Sequence, residues 1–459
     1  MMNEPSYRGL SLWLDTLPEP VIPRAPLDGA TDADVAIVGA GYSGLWTAYY
    51  LARLRPELRI AVLEAEVAGF GASGRNGGWC IGLLAGLDGL LARPERREQG
   101  LALQRAMVDT VDEVGRVASA EGIDCHYRKG GSVRVAITEP QLHALREFAS
   151  ALAPVFAPGD VRWLGPEECD AHVRMPGALG GFYFRHCAAL HPARLARGLA
   201  ARVEQLGVRI FERTPVTRIE SGRAVSARGA VRAGVIVRAT EAYTARLHGQ
   251  HRALLPMHSW MIATEALPDA TWKEIGLAHG ETFGDGRGVT TYGQRTADGR
   301  LAFGGLATYR YGSRIEPGFP ATHPNFRALE EILRELLPPL RDARITHHWG
   351  GALAVPRDWR PRVGLDRARG LAWIGGYVGE GVAASNLAGR TLADLIAGEN
   401  TERTQLAWVG PPARDWEVEP LRFLAVRSVL GLLRAADRAS ASGRSSRWRD
   451  RVLRAIAGR

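Results

Sequence analysis

Residues 35–44 have the sequence Val-Ala-Ile-Val-Gly-Ala-Gly-Tyr-Ser-Gly, and this stretch decides the fold of the 459-residue chain. Its first four residues form an apolar run, which predicts a strand buried on both faces, as in a parallel sheet. Three glycines follow in the spacing G-x-G-x-x-G, and residues 42–54 have the composition of a helix. The first glycine permits a tight turn, the second lets the backbone approach a pyrophosphate, and the third allows the helix to pack closely on the strand. The stretch therefore predicts a Rossmann-type unit that holds a dinucleotide at the N-terminus of the helix.

An acidic residue follows the next predicted strand. Residues 60–63, Ile-Ala-Val-Leu, form a second apolar run, and Glu64 comes directly after it, 20 residues beyond Gly44. A carboxylate at this position can accept hydrogen bonds from both ribose hydroxyls and would repel the 2′-phosphate of NADP. Glu64 therefore favours NAD or FAD.

A glycine-rich segment distinguishes between these two cofactors. Residues 69–78 read Gly-Phe-Gly-Ala-Ser-Gly-Arg-Asn-Gly-Gly, with five glycines among ten residues. Such a segment can lay main-chain amides along an extended cofactor. The alternative is a flexible surface loop, but Arg75 and Asn76 inside the glycine run argue against it. The segment favours FAD.

Later segments add strands to the same sheet. Residues 235–237 and 371–374 are apolar runs, and the second leads into a glycine loop and a helical run over residues 382–396. Between them, residues 253–345 alternate in polarity and contain turn signals, which predicts an antiparallel sheet. The fold class is therefore α/β (α+β overall), with a Rossmann-type FAD-binding domain and an interleaved antiparallel-sheet substrate domain. The predicted boundaries are an N-terminal arm at 1–33, the FAD-binding domain at 34–110, 186–252 and 346–400, the substrate domain at 111–185 and 253–345, and a basic helical appendix at 401–459.

Composition excludes several classes of protein. No apolar run reaches the roughly 18–20 residues that a membrane-spanning helix needs, and the N-terminus lacks the pattern of a secretory signal. These features predict a cytoplasmic protein. The four cysteines fit neither a zinc site nor a disulfide framework, so we expect reduced thiols and no metal.

The charge is concentrated in the C-terminal tail. The chain carries a net charge of +9, and residues 431–459 hold eight Arg against two Asp, so the remaining body carries only +3. This distribution argues against a nucleic-acid partner. Residues 420–438 suit an amphipathic helix with a basic face, and residues 447–454 suit a second short helical run. The tail is either a peripheral contact with an anionic membrane surface or a helix packed on the body with its arginines in water.

Four further segments occur in an order typical of one superfamily. Together with residues 69–78, they resemble the D-amino-acid-oxidase-type superfamily of FAD-dependent amine oxidoreductases, which includes glycine oxidase and sarcosine oxidase. Within this superfamily, the glycine-rich segment resembles gamma-glutamylputrescine oxidoreductases and aminophosphonate oxidoreductases. The four segments are Ala-Thr-Glu-Ala-Tyr at 239–243, Thr-Ala-Asp-Gly-Arg-Leu-Ala-Phe-Gly-Gly at 296–305, Trp-Gly-Gly at 349–351 and Gly-Tyr-Val-Gly-Glu-Gly-Val at 376–382.

The resemblance implies a set of FAD-binding residues. The segment around Ser73 lines the flavin, Val216 passes the adenine end, and the loop before Val382 lies at the pyrimidine edge. There a helix N-terminus would stabilise negative charge on the reduced ring. No His occurs in residues 69–78 and no Cys near 292–303, so we expect non-covalent FAD. The full predicted set is Gly39, Gly41, Tyr42, Ser43, Gly44, Glu64, Ala65, Gly71, Ala72, Ser73, Arg75, Asn76, Gly77, Gly78, Val216, Ala239, Thr240, Gly376, Gly379, Gly381 and Val382.

Two residues depart from the superfamily pattern. Glu380 stands where the family often has His, and a carboxylate aimed at the flavin edge would oppose its reduction, so we expect Glu380 to point elsewhere. Leu353 stands where the glycine-oxidase pattern Trp-x-Gly-Leu-Arg-Pro has an arginine that binds the substrate carboxylate. Losing that bidentate contact favours an amine substrate, or an acid held by another arginine. The candidates, each of which is alternatively structural or solvent-facing, are Arg295, Arg310, Arg360 and Arg362.

We expect the substrate to lie against a wall of aromatic and histidine side chains. Aromatic faces can hold an ammonium group by cation–π attraction, and either histidine could take its proton near neutral pH. The alternative is that these residues only pack at a domain interface. The predicted wall consists of His258, Trp260, Tyr292, His348 and Trp349, with His258, Tyr292, His348 and Trp349 as the candidate catalytic residues.

These features predict FAD-dependent oxidation of a primary or secondary amine to an imine, which water hydrolyses to a carbonyl compound. The expected partners are a small-molecule amine and oxygen or another electron acceptor. Two alternatives stay open. One is a membrane-associated, quinone-linked dehydrogenase, and the other is a non-catalytic flavin-binding subunit, for which Glu380 and Leu353 are the best sequence support.

Overall fold

A computed structural model describes residues 7–441, which form two large sheets and two small ones. The strands are β1 Thr31–Asp32, β2 Val35–Val38, β3 Ile60–Leu63, β4 Trp79–Ile81, β5 Ser132–Ala136, β6 Val161–Leu164, β7 Gly180–Phe184, β8 Cys187–Ala189, β9 Arg209–Phe211, β10 Val216–Glu220, β11 Arg223–Ser226, β12 Gly229–Arg232, β13 Val235–Arg238, β14 Leu255–Thr264, β15 Thr282–Asp285, β16 Thr291–Arg295, β17 Leu301–Tyr309, β18 Ile345–Val355, β19 Arg362–Asp366 and β20 Leu371–Gly375. The α-helices are α1 Leu12–Asp15, α2 Tyr42–Leu54, α3 Asp88–Leu91, α4 Arg97–Ala120, α5 Glu139–Leu152, α6 Pro166–His172, α7 Pro192–Gln205, α8 Asp269–Ile275, α9 Pro324–Leu336, α10 Gly381–Ala397 and α11 Leu421–Ala441.

The first large sheet has the strand order β19-β20-β13-β2-β3-β9. Its strands are parallel except for β19, which runs antiparallel to β20. All four residues of β2 are at most 3% exposed, because α2 and α10 cover one face and the hairpin strands β10–β12 cover the other. The predicted parallel strands and the helix after the glycine turn are confirmed.

The second large sheet has the order β18-β14-β17-β16-β15-β5-β7-β6 and is antiparallel except where β5 pairs with β15. Its outer face packs against α9, where Phe326 meets Trp260 and Ile262. Its inner face carries Met261 and Trp349, and α1 packs on it. The antiparallel sheet expected within residues 253–345 is confirmed.

Two of the predicted domain boundaries are wrong. Helix α4 runs past residue 110, and its apolar side, including Met107 and Val114, lies in the core that covers the parallel sheet. Strand β18 pairs with β14 over nearly its whole length, so residues 346–355 belong to the eight-stranded sheet rather than to the FAD-binding domain. Both errors arose because local polarity patterns mark elements but not the sheet or core that each element joins.

The N-terminal arm is more ordered than its prolines suggest. Its short helix α1 buries Leu12, Trp13 and Leu14, which are at most 2% exposed. Ser11 caps this helix and donates a hydrogen bond to the carbonyl of Gly74, 2.8 Å away. The arm is therefore packed into the protein and holds the glycine-rich segment in place through the hydrogen bond to Gly74.

The C-terminal appendix contains the predicted helix as α11. The predicted helical run at 447–454 lies outside the described residues. Within residues 7–441, no helix is both long and apolar enough to cross a membrane. In the same part of the chain, no cluster of three or more His, Cys, Asp or Glu side chains is placed to hold a metal ion. The four cysteines are buried and free.

Candidate functional site

The glycine turn between β2 and α2 is as tight as the sequence predicts. Gly39 has φ +108°, and a Cβ there would lie 2.5 Å from the carbonyl oxygen of Ala239. A Cβ on Gly44 would lie 1.9 Å from the carbonyl oxygen of Gly39. Only glycines allow the helix to begin this close to the strand. The turn thus places the first N–H groups of α2 at the end of β2, the arrangement that binds a pyrophosphate in a Rossmann-type unit.

Glu64 lies at the carboxyl end of β3, beside this turn. Its Oε2 accepts the N–H of Ala40 at 2.7 Å, and its Oε1 accepts the N–H of Glu66 at 3.0 Å. Burial raises the pKa of Glu64 to about 7, and the two N–H donors oppose that rise. Each carboxylate oxygen keeps a second lone pair that can accept a ribose hydroxyl.

The glycine-rich segment 69–78 folds back onto the start of α2. A 3₁₀ turn over Ala72–Gly74 brings the Ser73 hydroxyl within 2.8 Å of the Tyr42 N–H, which donates to it. Asn76 closes the segment on itself, since its Oδ1 accepts the N–H of Gly78 at 2.7 Å. The two predicted FAD-binding segments therefore form one continuous surface.

Residues outside the glycine-rich segment hold it against the eight-stranded sheet. Trp349 donates its indole N–H to the carbonyl of Arg75 at 2.9 Å, and Gln294 donates to the carbonyl of Gly77 at 2.7 Å. Trp13 of the arm donates to the carbonyl of Asn76 at 2.7 Å. Sequence reasoning missed Gln294 and Trp13, because nothing local in the sequence marks a side chain that hydrogen bonds to a distant main chain.

A buried carboxylate shapes the third segment, residues 375–382. Glu241 accepts the N–H of Gly376 at 2.7 Å and the N–H of Ala354 at 2.8 Å, so it joins the loop to the end of β18. Gly379 has φ +100°, and a Cβ there would lie 3.8 Å from Leu353. Helix α10 begins at Gly381, so its positive N-terminal end points into this loop.

The remaining predicted FAD residues lie at the ends of the parallel strands. Val216 packs in an apolar cluster with Val38 and Leu63, the last residues of β2 and β3. Ala239 continues β13 and donates its N–H to the carbonyl of Val38 at 2.9 Å. The Tyr42 hydroxyl points away from the turn and donates to the carbonyl of Pro192. The Ser43 hydroxyl bonds with that of Tyr377, 2.8 Å away, which connects the first and third segments.

The predicted substrate wall is divided between two faces of the sheet. Tyr292 and Trp349 lie on the inner face, where the Tyr292 hydroxyl bonds with that of Ser259 at 2.8 Å. A Cβ on Gly77 would lie 2.6 Å from the Tyr292 ring. Trp260 lies on the outer face, against Phe319 and α9.

Both histidines also lie on the outer face. His258 meets Phe319 edge-on, and its Nε2 accepts the N–H of Glu316 at 3.2 Å. Burial lowers the pKa of His258 to about 4. His348 Nε2 lies 3.2 Å from Glu330 of α9. The expectation of one wall made by all five residues is wrong, because neighbouring side chains of a strand point to opposite faces.

The four arginines proposed to hold a substrate acid have other neighbours. Arg295 stacks on Trp272, which packs in the outer-face core, and Arg310 is exposed. Arg360 lies against Gly86 and Gly89, and Arg362 pairs with Asp358. None of these contacts is with the inner face near Tyr292.

One inner-face arginine was missed. Arg134 stands in the middle of β5, between Val133 and Val135, which are fully buried in the outer-face core. The sequence signal was a charged residue at the centre of an otherwise apolar strand, where the alternation of side chains must place it opposite the two valines.

Residues 39–44, Glu64 and residues 69–78 thus form one surface that combines glycine backbone, the N-terminus of a helix and a carboxylate that can accept ribose hydroxyls. This donor set fits FAD. A family model described as FAD dependent oxidoreductase (DAO) matches residues 34–395. The chain belongs to this FAD-dependent oxidoreductase family.

Individual members of this family are similar in sequence or structure to this chain over most of its length. It is 30% identical to the probable oxidoreductase OrdL of Rhizobium meliloti (strain 1021), over 90% of this chain and 94% of the relative. It is 28% identical to the gamma-glutamylputrescine oxidoreductase of Escherichia coli (strain K12), over 82% of this chain and 87% of that enzyme. The crystal structure of glycine oxidase from Geobacillus kaustophilus matches with a TM-score of 0.68 over 81% of this chain and 96% of that chain, at 22% identity. The fold is therefore that of FAD oxidoreductases, and FAD is the cofactor.

Proposed function

We propose that this FAD-dependent oxidoreductase oxidises a primary or secondary amine to an imine, which water then hydrolyses to a carbonyl compound. In the oxidation, the C–N unit loses two electrons and two protons. FAD, when bound, supplies the two-electron acceptor for this chemistry. Water adds to the imine carbon, and the nitrogen leaves as ammonia or a smaller amine. Oxygen or another acceptor then takes the electrons from the enzyme.

The observation that carries this proposal is the composition of the inner face beside the FAD segments. The half-buried Tyr292 and Ser259 lie there, next to Met261 and Trp349, which are buried against α1. The Tyr292 ring touches the glycine-rich segment at Gly77. An apolar and aromatic surface of this kind suits an uncharged amine with a short carbon chain. The names of the relatives, gamma-glutamylputrescine oxidoreductase and glycine oxidase, belong to enzymes of amine and amino-acid substrates.

On this face the substrate ammonium meets neither His258 nor His348, and His347, opposite Ala263, bonds with Asp15 of α1. The pKa of His258 is about 4, and its Nε2 is already bonded on the outer face. Burial raises the pKa of Tyr292, so its hydroxyl stays protonated. We therefore expect the amine to bind in its neutral form, with Tyr292 and Ser259 as hydrogen-bonding partners for its nitrogen.

Anaerobic mixing with candidate amines tests the proposal directly. Bleaching of the flavin absorbance is expected with at least one of gamma-glutamylputrescine, 2-aminoethylphosphonate and N-methyl amino acids. The reduction rate at limiting substrate should rise with pH along the titration of the substrate amine. His258→Gln should keep this profile, whereas Tyr292→Phe should slow reduction. If none of these amines bleaches the flavin, the enzyme is not an amine oxidoreductase of this kind.

A quinone-linked dehydrogenase at a membrane surface is the second candidate. Leu421 and Leu424 of α11 are 61% and 57% exposed, beside the exposed Arg427. Such a surface suits contact with anionic lipid. If this alternative is right, an amine should drive reduction of a soluble quinone with little peroxide formed. The protein should also bind vesicles, and deletion of residues 420–459 should abolish that binding.

A cytoplasmic location and non-covalent FAD stay predictions. A yellow protein whose flavin no amine reduces, in stable association with another chain, would instead favour a non-catalytic subunit.

A further inference from the structure

Arg134 is a cationic side chain on the inner face of the eight-stranded sheet. Val133 and Val135, its neighbours in β5, are buried on the outer face, so Arg134 points to the side that carries Tyr292. This orientation places it on the same side as the FAD segments.

The strand register aligns Arg134 with Tyr292. Arg134 pairs with Gly284 of β15, and the register between β15 and β16 brings Gly284 beside Tyr292. Neighbouring strands lie about 4.8 Å apart, so the backbones of Arg134 and Tyr292 are separated by about 10 Å. Gly284 between them has no side chain. The long side chain of Arg134 can therefore extend across this gap toward the substrate surface.

Arg134 makes no ion pair or side-chain hydrogen bond with residues 7–441. The nearest acid along the paired strand, Asp285, is bonded to Arg287 and to the Thr291 hydroxyl, 2.8 Å away. Burial lowers the pKa of Arg134, while the charges of Asp285 and Glu380 favour its protonated form. These two carboxylates act on Arg134 through space, and an acidic group of a ligand can accept hydrogen bonds from its guanidinium donors.

The position of Leu353 agrees with this assignment. Leu353 lies on β18 beside Gly379 of the third FAD segment, so the surface at that end of the sheet is apolar. Arg134 supplies the positive charge from β5, on the opposite side of Tyr292 in the strand order. A guanidinium there can bind a carboxylate or phosphonate with two parallel hydrogen bonds.

We infer that Arg134 binds an acidic group, a carboxylate or phosphonate, that the amine substrate carries away from the C–N bond being oxidised. This inference rests on the proposed amine oxidation. It defines the substrate class as amines with a remote acid group, in place of plain alkylamines or amines with the acid on the reacting carbon.

Steady-state kinetics of Arg134→Met with a matched pair of substrates tests the inference. The pair is 5-aminopentanoate and its uncharged relative pentylamine. Loss of a charge-assisted contact should raise the KM for 5-aminopentanoate by about 10- to 100-fold, with kcat little changed and with pentylamine unaffected. Arg134→Lys should recover part of the difference. The control is Arg162→Met, since Arg162 lies on the edge strand β6, is exposed and stacks on Tyr183 of β7.

A binding measurement that needs no turnover separates this inference from the proposed function. Glutarate cannot be oxidised at a C–N bond, and its dissociation constant can be read from perturbation of the flavin spectrum. Wild type and Arg162→Met should bind glutarate, and Arg134→Met, with unchanged flavin content, should bind it at least tenfold more weakly. Equal glutarate binding by wild type and Arg134→Met would overturn the inference even if amines reduce the flavin. If no amine reduces the flavin but Arg134 still governs glutarate binding, only the proposed reaction fails.

Discussion

Gly44 sits where α2 begins, and a methyl group there has no free space. A Cβ would lie 1.9 Å from the Gly39 carbonyl oxygen, which is backbone and cannot rotate away. Gly44→Ala should therefore move α2 away from β2, destabilise the protein by about 1–3 kcal/mol or more, and lower the ratio of bound flavin to protein. Gly431→Ala is the matched control, because Gly431 is also helical and nothing lies within 4 Å of its Cβ position. Full flavin content in Gly44→Ala would contradict the assigned phosphate site.

Glu64 should make FAD binding depend on pH. Burial raises its pKa from 4.5 to about 7 in the FAD-free fold. The folded state thus holds a proton that the unfolded chain releases, so this carboxyl stabilises the fold below pH 4.5 and that contribution is lost as pH rises through 7. The affinity for FAD has the opposite pH dependence and should increase as pH rises toward 7. The reason is that the ribose hydroxyls donate hydrogen bonds to the ionised carboxylate of Glu64.

The measurement for Glu64 is the dissociation constant of FAD for the apoprotein, from quenching of flavin fluorescence. Below pH 7 the affinity should weaken by up to about tenfold per pH unit, and Glu64→Gln should flatten the curve. An unchanged slope in Glu64→Gln would assign the pH dependence to another group.

Residues differ in how far the sequence predicts their role. Gly39, Gly44 and Glu64 were predictable because their roles follow from the local strand–turn–helix unit. Arg134 and Gln294 were not, because each acts across the sheet and depends on the register of strands far apart in the chain. His258 and Tyr292 belong to strands with similar composition, and only the folded sheet shows that α9 packs on one of its faces and α1 on the other.

Helix α11 is the element whose contribution is easiest to isolate. The two carboxylate oxygens of Asp437 accept the N–H groups of Gly288 at 2.7 Å and Val289 at 3.0 Å, in the turn between β15 and β16. This turn directly precedes the strand that carries Tyr292. Asp437→Ala should therefore destabilise the protein by about 1.5–3 kcal/mol and speed amide hydrogen exchange in residues 286–290. Arg438→Ala, which alters an exposed neighbour, should do neither. Unchanged exchange in Asp437→Ala would mean that the turn holds its shape without α11.

Elements were predicted well where their signal is local. Strands β2 and β3 and helix α2 begin and end at the predicted residues, because apolar runs and glycines mark their limits. Helix α1 was missed, since its four residues are too few to give a periodic signal. The assignment of β18 failed for a different reason: pairing with β14 is a long-range contact that polarity alone does not encode.

At the scale of the whole molecule, the glycine-rich segment connects the two large sheets. Ser73 of this segment bonds to the start of α2, which follows the parallel sheet. Arg75 and Gly77 accept hydrogen bonds from Trp349 and Gln294 of the eight-stranded sheet. The sequence predicted two domains but not this connection, because it is made by main-chain carbonyls. Ligand binding at the FAD segments should therefore stabilise both sheets.

Amide hydrogen exchange of the apoprotein, measured in the presence of ADP or of FAD, shows whether binding stabilises only the nucleotide-binding residues or both sheets. ADP contains the diphosphate and adenosine portions, so it should slow exchange in residues 39–44 and around Glu64 and leave β16 and β18 unchanged. FAD should also slow exchange in those two strands, and at 100 times its dissociation constant it should stabilise the fold by about 2.7 kcal/mol. Gln294→Leu removes the bond to Gly77 and should reduce the protection of β16 more than that of residues 39–44. If ADP protects β16 and β18 as much as FAD does, the flavin-bearing half of the cofactor does not reach the glycine-rich segment, and the coupling must pass through α2 instead.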